Sequence, residues 1–257
     1  HVSDVVRNGH YAGYGFADEV KAIIDESWKN DHPHLYGRFD LLYNGTEIKL
    51  AEYNADTPTA LPEAAVWQWQ ALEDRGWPDQ YNSIHETLIE RWKEIEVAGE
   101  RIHFVASKDG RHEDWGNVHY LMQTATDAGY DTSSLDLEQL GWNDATKTFR
   151  DLQERPVTAC FKLYPWEWML QDEFGWSVRE AKTQWIEPAW KLLLSTKALL
   201  PLLWRRHPRH PLLLESHFES DKGRRPYGWL RKPVLGREGA NIDLIDDDGK
   251  PVGGEQP

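Results

Sequence analysis

RIHFVASKDGRHEDWGNVHYLMQTATDA, residues 101–128, reads as a strand, a loop and a helix, the unit from which layered α/β proteins are built. The strand is RIHFVAS (101–107), the loop KDGRHEDWG (108–116), and the helix runs through about Ala128. Downstream, VTACFKL (157–163) is a second apolar strand leading into a helix opened by Pro165. A further helical stretch covers Ser177 to Lys182, WIEPAWKLL follows, and Ser195 is placed to cap the helix TKALLPLLW. After the basic loop RRHPRHP come GWLRKP, the loop Gly236-Arg237-Glu238-Gly239, the strand ANIDLI and the acidic turn DDDGK.

Upstream the chain opens with a helix from Phe16 to Trp28. A hairpin follows, LYGRFDLLY (35–43) and EIKLAEYN (47–54), turning at Asn44-Gly45. Thr57-Pro58 reads as a helix start, with Thr57 as N-cap and the helix extending to about Glu73. Another helix begins at Ser83, where Glu86 three residues later completes a capping-box pattern. No internal repeat or low-complexity linker marks a domain boundary, so residues 1–257 read as one region.

Composition narrows the function classes. A 257-residue chain with 40% hydrophobic residues can bury a large core, which excludes disordered and collagen-like proteins. No run of eighteen apolar residues occurs and HVSDVVRNGH lacks the segments of a secretory signal, so a cytoplasmic protein with no membrane partner is expected. A formal charge of −14 argues against nucleic acid as partner. That charge is unevenly spread: Lys191–Arg237 holds eleven Lys or Arg against three Asp or Glu, a net +8, leaving −22 elsewhere. Such a separation fits one surface for a polyanion and another for cations, or simply a solvated basic face. Cys160, the one cysteine, lies in an apolar run and reads as a core residue. Fourteen tryptophans would suit a sugar-binding surface, but Trp67 and Trp69, like Trp166 and Trp168, sit in helical stretches where packing is the simpler reading.

Two groups of residues carry chemistry. Arg38-x-Asp40 and Glu52-x-Asn54 each place two side chains on one face of a strand. For all four to converge, the connecting loop must hold an odd number of residues or the strands must contain a bulge. Two carboxylates and an amide oxygen are hard donors of the kind Mg²⁺ accepts; an Arg–carboxylate pair on a polar hairpin would give the same pattern. The second group is Lys197, Lys232 and the loop Gly236-Arg237-Glu238-Gly239, a cradle for phosphates or a set of surface lysines.

Beyond these groups, LYGRFD, AEYNADTPTALPEAA, QWQALED, DQYNSIHETLI, FKLYPWEWM, EPAWKLLLSTKALLPLLW and RKPVLGREGANI together resemble the glutathionylspermidine synthase family. The resemblance extends over most of the chain, with NADTPTA, FKLYPWEWM and GREGAN its most specific parts. It implies an α/β (α+β) fold of permuted ATP-grasp type with a preATP-grasp subdomain, the metal-binding region preceding the ATP-binding lysines. It also implies a ligase joining glutathione or a similar peptide carboxylate to spermidine or a similar amine, with ATP and Mg²⁺; a non-catalytic ATP- or peptide-binding relative is the alternative. By the same resemblance Asp40, Glu52 and Asn54 are Mg²⁺ ligands, and Arg38 stabilises the transferring phosphoryl group. Arg38 also binds ATP, together with Lys197, Lys232, Gly236, Arg237, Glu238 and Gly239; Thr57 and Thr59 contact the peptide, and Glu113 or Asp114 attracts the amine. Family synthetase domains start earlier and run beyond Pro257, so the resemblance implies that the C-terminal part of the fold is missing from these residues.

Overall fold

The computed structural model describes residues 1–109, 112–221, 228–237, 239–246, 248 and 250–252. The chain divides into two units, one formed by His1–Asp25, Phe39–Asn54 and Trp190–Pro257, the other by Glu26–Arg38 and Ala55–Ala189.

The larger of these, the sheet unit, is built on four parallel strands in the order β4-β3-β7-β8, where β3 is Arg101–Ala106, β4 Asp131–Asp136, β7 Ala159–Leu163 and β8 Gln184–Ile186. Five of the six β3 residues and all of β7 are buried, as expected for parallel strands covered on both faces. Helix α5 (His112–Asp127) carries the chain from β3 to β4 and packs on both. Against it lies α4 (Ile84–Glu94), which sends Trp92, fully buried, into the core formed by Phe104, Leu121, Phe161 and Ile186. The buried Trp92 indole donates to Thr124 Oγ1 at 3.0 Å, so its polar atom is satisfied. A small hairpin of β5 (Gly141–Asn143) and β6 (Thr148–Arg150) and the short helix α6 (Trp166–Met169) complete this unit.

The other unit, the hairpin unit, contains β1 (Arg38–Tyr43, of which Arg38 is counted with the sheet unit) and β2 (Ile48–Asn54), with Gly45 at φ 99° in their turn. The helices α7 (Leu192–Ser195) and α8 (Leu199–Arg206) follow, then a three-stranded antiparallel sheet of β9 (Leu230–Arg231), β10 (Asp243–Ile245) and β11 (Pro251–Val252). Helix α1 (Val2–Asn8) buries Val2, Val5 and Val6, and α2 (Asp18–Lys29) spans the division between the units. On the far edge of the hairpin, Leu50 N–H donates to the carbonyl of Leu212 at 2.7 Å.

Several local expectations change. No helix starts at Thr57: residues 57–60 are irregular, Ala60 adopts φ 72°, and helical structure begins at residue 61. Pro62 rather than Pro58 occupies the first turn, followed by a π-helical turn at Glu63–Trp67 and α3 (Gln68–Glu73). Ser83 precedes α4 but its side chain makes no capping bond; Asn82 Oδ1 accepts from Ile84 N–H at 3.2 Å instead. The stretch from Ser177 is a 3₁₀ helix, Gly175–Arg179, and Ser195 ends α7 rather than capping α8. Glu113 and Asp114 lie in the first turn of α5, not in a loop. Trp166 is buried as expected, whereas Trp67, Trp69 and Trp168 are exposed. Among the described residues no helix is long and apolar enough to cross a membrane.

Candidate functional site

In the hairpin unit, Asn54 Nδ2 donates to Asp40 Oδ2 at 3.1 Å, so side chains from the two strands meet. Four residues separate the strands, an even number, so this meeting implies an irregularity in their pairing. Glu52, two residues before Asn54, accepts from Lys197 Nζ at 2.7 Å. The same ammonium donates to the carbonyl of Gly236 at 2.8 Å, and Lys197 N–H reaches the carbonyl of Val234 at 2.9 Å. Lys197 follows α7, which packs on β2, and so arrives beside Glu52 from the far end of the sequence. One lysine therefore joins the carboxylate strand to the glycine loop.

The loop itself lies between antiparallel β9 and β10, closed by Arg231 and Asp243, whose side chains pair at 2.6 Å. A side chain at Gly236 would meet the Pro233 ring at 2.7 Å, and Gly239 sits at φ 78°, so both positions favour glycine for separate reasons. Lys232, half-buried, follows β9 directly, and Arg237 is half-buried in the loop; Glu238 lies outside the described residues.

The donor chemistry of Asp40, Glu52 and Asn54 fits Mg²⁺. Both carboxylates supply hard oxygens, and turning the Asn54 amide over would present Oδ1 where Nδ2 now meets Asp40. Among the described residues no group of three or more His, Cys, Asp or Glu gathers as a metal cage. A cation here would thus depend on two carboxylates, an amide and ligands brought by phosphates or water.

In the sheet unit the segment 56–61 is held at successive residues. Asp56, fully buried, pairs with the equally buried Lys162 at 2.6 Å and accepts from Trp166 N–H at 2.9 Å. The Pro58 carbonyl accepts from the Tyr36 hydroxyl at 2.5 Å, and Thr59 Oγ1 accepts from Arg38 at 2.9 Å. Leu61 N–H donates to Asn117 Oδ1 at 3.0 Å, and the Asn117 amide donates to the Glu113 carbonyl at 2.8 Å. Thr57 is half-buried within this segment. Burial and the nearby Glu187 carboxylate hold the Tyr36 hydroxyl well above the ordinary phenol range, which keeps it a donor. Glu187, itself buried, accepts from the N–H groups of Leu35 and Tyr36, fixing the residues that lead into Arg38.

Thus Arg38 and Thr59 come together, the Asn117 amide ties the first turn of α5, which carries Glu113 and Asp114, to the same segment, and Asp40, Glu52, Asn54 and Lys197 are linked in the hairpin unit. Glu113 is exposed and Asp114 half-buried, and the α5 N-terminus favours their negative charge. Asp56, Lys162, Asn117 and Glu187 were not among the expected site residues. One signal was available: a lysine inside the apolar strand VTACFKL is rarely buried unless paired.

A mixed α/β protein with a parallel sheet, an oxygen-donor hairpin and a lysine-headed glycine loop is the class these features define. The chain belongs to the glutathionylspermidine synthase preATP-grasp family, whose model matches residues 1–256. It is 46% identical over 246 residues to a Haemophilus influenzae protein provisionally named an acid–amine ligase, covering 93% of this chain and 63% of that protein. It is 28% identical to the trypanothione synthetase of Crithidia fasciculata, covering 91% of this chain and 40% of the relative. With the bifunctional glutathionylspermidine synthetase/amidase of Escherichia coli it shares 29% identity over 85% of this chain and 39% of the relative. The chain therefore spans less than two thirds of the length of each of these proteins.

Proposed function

We propose that this chain is the core of an ATP-dependent carboxylate–amine ligase with a permuted ATP-grasp arrangement, joining glutathione or a similar peptide to spermidine or a similar amine. The observation that carries this reading is Lys197, which bridges Glu52 on the carboxylate hairpin and Gly236 in the glycine loop, inside a chain of this family. Asp40, Glu52 and Asn54 would hold Mg²⁺, which neutralises phosphate charge when bound. Lys197, Lys232 and the loop from Gly236 to Gly239 hold ATP by charge and backbone N–H groups.

Thr57 and Thr59 receive the peptide, and its carboxylate oxygen attacks the γ-phosphorus of ATP with ADP leaving. Arg38, kept in place by Thr59, stabilises the charge that develops on the transferred group. Glu113 and Asp114 draw the amine in; its neutral nitrogen attacks the acyl carbon, phosphate leaves and a proton is released, giving the amide. No protein nucleophile takes part. The test is ADP release from Mg-ATP and glutathione with and without spermidine, with mass detection of a conjugate. Amine-dependent ADP and amide support the reading; ATP binding without turnover on any acid and amine pair replaces it with a non-catalytic nucleotide-binding role.

A further inference from the structure

Asp56 and Lys162 are both 0% exposed, 106 residues apart in sequence and 2.6 Å apart in space. Charges withdrawn so far from water bear a desolvation cost that pairing repays only when geometry is good, and apolar substitutes of similar volume often serve stability as well. Stability is therefore a weak reason for this pair, and its remaining bonds supply a stronger one. Asp56 gives its second oxygen to Trp166 N–H at 2.9 Å, while Lys162 donates also to the Tyr164 carbonyl at 2.9 Å and lies 4.6 Å from the Trp166 ring centre. Residue 56 is thereby clamped to the end of β7, a buried strand of the parallel sheet. Immediately after it come Thr57, Pro58 and Thr59, and Thr59 in turn holds Arg38.

We propose that the buried Asp56–Lys162 pair is a positioning device that fixes the segment Thr57–Thr59 and, through Thr59, the Arg38 guanidinium. The inference rests on the ligase reading for what the segment binds, but the ordering of the segment can be measured without it. Asp56 and Lys162 are positioning residues, since both are sealed from solvent and act through the segment that follows Asp56.

The experiment is the paired neutral variant D56N/K162M, which leaves no unpaired buried charge. Expected are a melting temperature close to that of the parent and at least tenfold faster amide hydrogen exchange across residues 56–61, with β3 and α5 unchanged. With Mg-ATP, glutathione and spermidine, kcat should fall at least tenfold or KM for glutathione rise at least tenfold, while KM for ATP stays within twofold. Parental exchange over residues 56–61 and parental kinetics in a folded double variant would overturn the proposal. Should the double variant not fold, Tyr36→Phe decides: it deletes the neighbouring bond to Pro58, and residues 56–61 should keep their protection because the ion pair remains. Loss of protection throughout the segment in that variant would overturn it. If the parent forms no amide, the ligase reading fails while the exchange measurements still decide whether the pair orders the segment.

Discussion

The two units treat a lysine–carboxylate pair in opposite ways. Lys162 and Asp56 are sealed from solvent, whereas Lys197 and Glu52 keep 15% and 25% of their side-chain surface exposed. A sealed pair meets neither water nor ligand, and its further bonds, to Trp166 N–H and the Tyr164 carbonyl, tie it to the same strand end, so it holds geometry. A half-open pair can exchange: under the proposed ligase reading Glu52 would turn to a cation and Lys197 to a phosphate, each keeping an opposite charge beside it. The pair in the sheet unit is thus fixed, and the pair in the hairpin unit is open to exchange.

This contrast can be broken or sharpened by substitution. Asp56→Asn alone leaves Lys162 buried without its carboxylate and should cost ~3–5 kcal/mol of stability, read by denaturant unfolding. A loss below ~1 kcal/mol would mean that water reaches the pair. Arg38→Ala should lower turnover by roughly 10²–10³ while ATP binding, measured by calorimetry, changes little, because its contact strengthens as charge develops. Equal loss in both would make Arg38 a nucleotide-binding residue instead. Lys197→Met should weaken ATP binding about tenfold, or ~1.4 kcal/mol, with ~1 kcal/mol or less of stability lost, in keeping with a half-open pair. A stability loss matching Asp56→Asn would erase the distinction.

The smallest effect concerns Glu138. Burial acts to raise its carboxyl, but the Ser107 hydroxyl and Lys108 N–H outweigh it and hold the group below its ordinary value. A depressed folded value gives stability that is present above the unfolded carboxyl value and lost as pH falls through the folded one. Glu138→Gln should therefore cost only ~0.5 kcal/mol at neutral pH, consistent with an exposed carboxylate, and the deficit should vanish in acid. A deficit that persists there would show that shape rather than charge matters.

What could be read from sequence followed the range of the interactions. The strands β1, β2, β3 and β7 were visible because alternation, Asn44-Gly45 and apolar runs are local signals. Strand spacing offered the Asp40–Asn54 meeting only on condition of an odd loop or a bulge, and with four residues between the strands it could not be read from spacing alone. Thr57-Pro58 misled because its local helix signal yields to distant partners: Lys162 and Trp166 hold Asp56, Tyr36 holds Pro58, and Arg38 holds Thr59. Asn117 and Glu187 could not be placed either, since their partners are backbone groups 56 and about 150 residues away. Trp67 and Trp69 are exposed although their helical stretch suggests packing, because helical spacing says which residues share a face, not which face is covered.

Cys160 offers a consequence of a different kind. It is the chain's sole cysteine, it lies buried on β7 between Ala159 and Phe161, and burial pushes its thiol well above the usual range. A colorimetric thiol reagent should therefore find nothing in the native protein and one equivalent after denaturation. The rate at which that equivalent appears under native conditions would time the opening of the parallel sheet itself, giving this protein a built-in clock for its most protected region.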